Sequence, residues 1–307
     1  MARQITISPS QLDAMSCRLA WHWGYKRGFR AKKRNINLAL GDGIHQSLEA
    51  YYGESRNDPV EFFTAWADAE ILRMNPQWTD EITEMGEARD LGIGMLTGYV
   101  EYAKEHDNFE VITTEHTLRR MLPIPGQGGD SPYQLVVRLD ALIRDGPSGK
   151  LFSLEHKTFT RFDRSHLDRD HQITAQVWAG ESLALELGLD EPVIGVLYNG
   201  LRKQLPGSRT RNALFERHKI FRSDQQVKIF LHRAYWQAYD VNQPEAPIYP
   251  QPNPIRCGQC DFKTPCLAYT KGEDYMSVLD ELYDHRARAR REPQVQTSEE
   301  VGDETDA

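Results

Sequence analysis

Between Val136 and Thr158 the chain reads VVRLDALIRDGPSGKLFSLEHKT, two apolar runs on either side of Asp145-Gly146-Pro147-Ser148-Gly149. Runs rich in β-branched and large apolar residues about a Gly/Pro turn predict a β-hairpin. The first run carries Asp140. The second carries Glu155 and Lys157, whose spacing of two puts them on one face of a strand. Their neighbours Leu135, Val136, Val137, Leu139, Leu151, Phe152 and Leu154 are apolar, so both strands read as central, where a charge needs a reason. Two carboxylates and an ammonium at one spot suit a hard divalent cation such as Mg²⁺, which prefers oxygen ligands. A lysine beside it orients or deprotonates a water, or stabilises charge on a phosphate. The competing reading is a solvated strand face with an ion pair, and the apolar flanks oppose it.

The rest of the chain divides by texture. Ser8-Pro9-Ser10 predicts an N-cap for a helix from Gln11 to Gly24, with Leu12, Met15, Leu19 and Trp23 on its core face. A basic loop follows at Lys26–Arg34. Gly41-Asp42-Gly43-Ile44-His45 is expected to open a second helix to Tyr52, with His45 in its first turn. Helices are also expected over Pro59–Arg73 and Glu81–His106. Phe109–Met121 then reads as a strand with Glu115 inside it, and Pro123–Ser131 as a loop. The hairpin comes next, followed by a helix from His166 to Leu187 bearing Gln172, Gln176 and Trp178. Strands are expected at Pro192–Asn199 and Leu214–Phe221, and a helix capped by Ser223 running to Tyr239. This order predicts an α/β (α+β) fold, a mixed central sheet flanked by helices. From Asn242 the chain is Pro-rich and expected irregular, with a short helix over Tyr275–Arg290. Residues 1–107 thus form a helical N-terminal region, 108–241 a core, 242–291 an arm, and 292–307 an acidic, disordered tail.

With 307 residues, 39% of them hydrophobic, the chain is long enough for a large core. It contains no apolar run of about 18 residues, the length of a membrane span. MARQITISPS at the N-terminus has no apolar signal core, and the expected setting is the cytoplasm. The net charge of −8 argues only weakly against a nucleic-acid partner. Six carboxylates fall in residues 292–307, and the remaining 39 acidic residues nearly balance 37 basic ones. Positive charge clusters at Lys26, Arg27, Arg30, Lys32, Lys33 and Arg34, and again at Arg202, Lys203, Arg209, Arg211, Arg217 and Lys219. Such patches meet phosphates even on an acidic protein.

Three of the four cysteines form Cys257-x2-Cys260-x5-Cys266, and Cys17 lies far upstream. Four thiols in a chain of this kind are not a disulfide framework. Both a structural zinc and an iron–sulfur cluster take four thiolates, and a trio plus one distant cysteine leans towards the cluster. Either centre ties the N-terminal helix to the C-terminal arm, and its binding is then folding energy.

In this order the parts resemble the PD-(D/E)XK nuclease superfamily, in its RecB-like branch. More narrowly they are similar to iron–sulfur exonucleases of that branch, including CRISPR-associated ones and bacteriophage relatives. The resemblance rests on Cys17, Gly41-to-His45, Asp140, Glu155-His156-Lys157, Gln172 and Cys257/Cys260/Cys266, spanning about Ser8 to Leu267. It implies that Asp140 and Glu155 bind Mg²⁺ or Mn²⁺, with His45 and the carbonyl of His156 as further ligands. It implies that Lys157 positions or activates the attacking water and that Gln172 orients Lys157 or the DNA. It implies a 4Fe–4S cluster on the four cysteines, and DNA as substrate, with recombination, repair or CRISPR-related proteins as partners. Two positions depart from the pattern: Gln176 stands where the family usually has a DNA-contacting tyrosine, and Arg18 follows Cys17 where proline is frequent. The reading is a metal-dependent DNA exonuclease of single strands or duplex ends. Its competitors are a DNA-binding or assembly module that does not cut, and a zinc-stabilised regulatory protein.

Overall fold

The computed structural model describes residues 4–33, 35–127, 129–205, 207 and 213–285. In chain order, β1 (Ile5–Ile7) and α1 (Pro9–Ala14) lead to α2 (Arg18–Trp21), a π-helical turn at His22–Lys26, and β2 (Phe29–Ala31). Three helices follow: α3 (Ile36–Tyr52), α4 (Pro59–Arg73) and α5 (Thr79–His106). Next are β3 (Phe109–Pro123), β4 (Asp130–Asp145), β5 (Leu151–Phe159), α6 (His171–Glu186), β6 (Val193–Arg202), β7 (Phe215–Phe221) and α7 (Asp224–Asn242). The chain closes with α8 (Pro254–Gly258), α9 (Lys263–Lys271), α10 (Tyr275–Leu282) and β8 (Tyr283–His285). Of the described residues, 4–15 and 35–246 make one compact unit, and 16–33 with 247–285 make a second.

The first unit is a six-stranded mixed sheet flanked by helices. Strand order is β1-β4-β5-β6-β7, with β3 paired to the outer side of β4. The hairpin is present: β4 and β5 run antiparallel from Ala141↔Leu154 to Arg144↔Leu151. Its turn is held by Asp145, whose carboxylate accepts from the Ser148 amide at 3.0 Å and from Lys219 Nζ at 2.7 Å. α6 then carries the chain over to β6, parallel to β5, and β7 returns antiparallel. Side-chain caps start most of the helices: Ser8 for α1, Asn35 for α3, Asp58 for α4, Asp170 for α6, and a reciprocal Ser223–Gln226 box for α7. One core lies among α3, α4 and α5, around Leu40, Ile44, Phe63, Met95, Leu96 and Tyr99. Others lie along the sheet and under α6.

Five sequence expectations are corrected here. The helix expected over Gln11–Gly24 breaks at Met15–Cys17, where Cys17 is extended, and the boundary between the two units falls there. α3 begins at Ile36 rather than at Gly41, because Asn35 accepts from the amides of Asn37 and Leu38. His45 is therefore mid-helix. The glycines serve close approach instead of a turn: a Cβ at Gly43 would lie 2.3 Å from the Trp66 ring, and one at Gly41 would lie 3.3 Å from Thr158 Oγ1 on β5. The basic loop contains β2, and the Pro-rich arm contains α8 and α9. The terminal helix stops at Leu282, and Tyr283–His285 instead pairs antiparallel with Phe29–Ala31. β1, parallel to β4 at Ile5↔Tyr133, was not foreseen. The acidic tail lies outside the described residues.

In the second unit, Leu19, Trp23, Phe29, Phe262, Leu279 and Tyr283 form a small core with Cys17, Cys260 and Cys266 at its border. Trp23 is ringed by Phe262, Tyr269 and Tyr275 at 5.8–6.3 Å between centroids.

Candidate active site

The ladder between β4 and β5 stops at Ala141↔Leu154. One step further the register sets Asp140 opposite Glu155, where the strands part. The His156 amide is thereby released from the ladder and donates to Asp140 Oδ2 at 2.8 Å. Asp140 and Glu155 thus sit at a fork in the sheet. Glu155 is buried at 2% exposure in a strand buried from Leu151 to His156, a placement that demands partners. Lys157 Nζ lies 2.5 Å from its Oε1, Gln172 Nε2 donates to the same oxygen at 2.9 Å, and Gln176 Nε2 donates to Oε2. Gln172 Oε1 also accepts from Lys157 at 3.2 Å. Gln172 and Gln176 reach the site together because they are four apart on α6.

From the other side α3 brings His45, whose Nδ1 is 3.4 Å from Asp140 Oδ2. Burial favours a neutral His45, but the hydrogen bond and charge of Asp140 outweigh it and raise its pKa. Burial would likewise raise Asp140, yet His45 and the His156 amide hold it down at about 2. Burial pushes Glu155 up, against the pull of the Lys157 ammonium, and Lys157, Gln172 and Gln176 all donate to its two oxygens. Burial works against a charged Lys157, but Glu155 overcomes it and the lysine pKa is raised. The site thus pairs His45 with Asp140 and Lys157 with Glu155.

His156 turns away from this face. Its Nδ1 accepts from Asn199 Nδ2 at 2.8 Å, its ring stacks on Tyr52, and burial lowers its pKa to about 3. Asn199 also donates to Tyr99 OH and accepts from Arg217 Nε at 2.9 Å, and Arg217 pairs with Asp107 at 2.5 Å. Tyr52 OH closes the network on Asp107 at 2.9 Å. This polar layer fixes the strand whose amide holds Asp140. Arg217, read from sequence as part of a basic surface patch, is turned inward, and Arg202 lies over Phe159. Arg34, Arg209 and Arg211 lie outside the described residues.

A cavity of about 520 Å³ opens onto the site, lined by Asp42, His45, Gln46, Glu49, Glu115, Arg138, Asp140, Glu155, Lys157 and Gln172. Sequence reading named His45, Asp140, Glu155, Lys157 and Gln172, and all five are here; His156 contributes its backbone. It assigned no role to Gln176, Glu49, Glu115 or Arg138. The spacings His45–Glu49, Gln172–Gln176 and Arg138–Asp140 were the available signals. The donor set, carboxylates with an imidazole, fits a hard cation in kind. Among the described residues, no three His, Cys, Asp or Glu are gathered closely enough to hold a metal ion as they stand. The four cysteines, free of disulfides, line one cavity of about 450 Å³ within the second unit. Backbone amides of Gln251 and Asn253 donate to the sulfurs of Cys17 and Cys257 at 3.5 and 3.3 Å, the kind of contact that supports thiolate ligands.

A sheet forked at paired carboxylates, with a Glu-x-Lys strand between helices, is the arrangement of a restriction-endonuclease-like fold. The family model for the PD-(D/E)XK nuclease superfamily matches residues 6–267, and the chain belongs to that superfamily. A search of curated proteins finds no match. No described helix is long and apolar enough to cross a membrane.

Proposed function

We propose that the chain is a metal-dependent deoxyribonuclease that hydrolyses phosphodiester bonds of single-stranded DNA or duplex ends, as an exonuclease. The observation that carries this reading is the meeting of Asp140, Glu155, Lys157, Gln172 and His45 at one cavity. Asp140 and Glu155 would hold Mg²⁺ or Mn²⁺, with His45 and the His156 carbonyl as additional donors. The cation, when bound, polarises the phosphate and lowers the pKa of a water. Lys157 is kept protonated by Glu155, so its part is to donate: it orients the attacking water and stabilises charge growing on the phosphate. Gln172, bridging Lys157 and Glu155, holds both in register. Water adds to phosphorus and loses a proton to solvent, the P–O bond to the leaving sugar breaks, and the sugar oxygen takes a proton from solvent.

The four cysteines would hold a 4Fe–4S cluster that completes the second unit. The setting we propose is cytoplasmic DNA recombination or repair, or phage DNA metabolism. The test is digestion of end-labelled single-stranded and duplex DNA by anaerobically purified protein, with Mg²⁺, Mn²⁺ or EDTA. Metal-dependent shortening from an end is expected, and the label position gives polarity. Binding without cutting would transfer the assignment to an assembly module. A brown preparation supports the cluster, and a colourless one with stoichiometric zinc rejects it.

A further inference from the structure

Arg138 lies two residues before Asp140 on β4, on the same face of the strand, and lines the same cavity as Asp140, Glu155 and Lys157. It is the one arginine among the described residues of that lining. Five lining carboxylates, Asp42, Glu49, Glu115, Asp140 and Glu155, surround it and Lys157. A nucleic-acid backbone entering so acidic a mouth needs a cationic partner beyond Lys157, which Glu155 engages deep in the sheet.

Arg138 is 56% exposed, and its guanidinium lies against two of those carboxylates, Glu49 Oε2 at 3.3 Å and Glu115. Both partners are placed with respect to the site. Glu49 follows His45 by one turn of α3, and it feels Asp140: burial raises its pKa, Arg138 lowers it and the Asp140 charge raises it. Glu115 falls opposite Asp140 in the β3–β4 register, between Thr114↔Ala141 and His116↔Leu139. There it takes φ 41°, one of two non-glycine residues in the left-handed region among the described residues. A strained residue there, where the pairing skips from Thr114↔Ala141 to His116↔Leu139 and the side chain lines the cavity, points to function. The planar fork of arginine matches carboxylate and phosphate alike, and ion pairs at a half-exposed side chain exchange easily.

We propose that Arg138 binds substrate: its guanidinium leaves Glu49 and Glu115 to take the backbone phosphate next to the one that is cut. The two glutamates hold the fork in place until then. Two residues of strand, about 6.6 Å, separate Arg138 from Asp140, a distance on the scale of one step between phosphates of a strand. The inference rests on the nuclease reading above.

The test is a scan of single-stranded oligonucleotides, each carrying one uncharged methylphosphonate linkage, stepped through the region around the cut. Wild type should show, besides the scissile linkage, one neighbouring linkage whose neutralisation raises KM about ten-fold, with kcat changed less. Arg138→Ala should raise KM to a similar degree on the all-phosphate strand and be indifferent to neutralisation at that linkage. An Arg138→Ala profile identical to that of wild type overturns the inference while leaving the nuclease reading standing. A wild type that neither cuts nor binds DNA sinks the nuclease reading, and the inference with it. If Arg138→Ala fails to fold, Arg138→Lys replaces it: a smaller KM rise with reduced sensitivity at the same linkage is expected, and an unchanged profile rejects the role. The double variant Glu49→Gln/Glu115→Gln keeps the arginine and should retain the sensitive linkage with a lowered KM; loss of that linkage would mean that Arg138 serves only to brace the two glutamates.

Discussion

The two units are built by different means. The first owes its shape to a broad apolar core: strands buried on both faces, three long helices packed through Phe63 and Gly43, and a charged site that supplies its own partners. Glu155 has Lys157, Gln172 and Gln176, and Asp140 has His45 and the His156 amide. The second has six buried apolar residues in its core, helices of four to nine residues, and a two-stranded sheet of three residues a strand. So small a core rarely stabilises a unit alone, and the four thiols border it, where a metal centre, as proposed, would add folding energy. A charged cluster can thus be part of a self-sufficient core, whereas the thiol cluster lies at the border of a small one.

This contrast yields crossed expectations. Asp140→Ala should cost about 10³-fold or more in cleavage rate, while any visible absorbance from the proposed cysteine centre and the melting transition stay as in wild type. An equal loss of both would join the units functionally. Cys257→Ser or Cys266→Ser should do the converse: the chromophore disappears and the second unit melts lower, on the order of 10 °C or more. Unchanged melting in a colourless variant would show that this unit needs no centre.

Within the first unit, Arg217→Met should destabilise by roughly 3–5 kcal/mol, since it leaves Asp107 and Asn199 without their shared partner. Urea unfolding measures this, and a loss below about 1 kcal/mol would remove the network from the account. The smallest effect concerns pH. The folded pKa of His45 is raised, so its pairing with Asp140 stabilises the metal-free protein fully below about pH 6.5. That contribution is lost as pH rises through the raised value. Asp140, depressed to about 2, loses its share only as pH falls from its unfolded value towards 2. Melting in EDTA should therefore decline above pH 6.5, and His45→Asn should abolish that decline. Cleavage at limiting metal should rise over the same range if His45 sheds its proton to act as the proposed ligand.

Much of the site was legible because its signals are local. Alternation placed Glu155 and Lys157 on one face, the turn fixed the hairpin, and a helical stretch carried Gln172. What escaped depends on contacts distant in sequence or on strands too short to show a pattern. β1 has three residues and pairs with Tyr133–Leu135. Arg217 looked like surface charge until Asp107 and Asn199, from other strands and loops, enclosed it. The two glycines before His45 read as a helix start because glycine punctuates chains, whereas here Trp66 approaches the helix at Gly43 too closely for a larger residue and Thr158 packs tightly on Gly41.

The role of Lys157 is decided by the single-turnover cleavage rate of Lys157→Met with saturating Mg²⁺, beside DNA affinity measured on the same preparation. The rate should fall about 10³-fold with affinity within a few-fold of wild type. A variant that cuts as fast as the parent would contradict the assignment of the site.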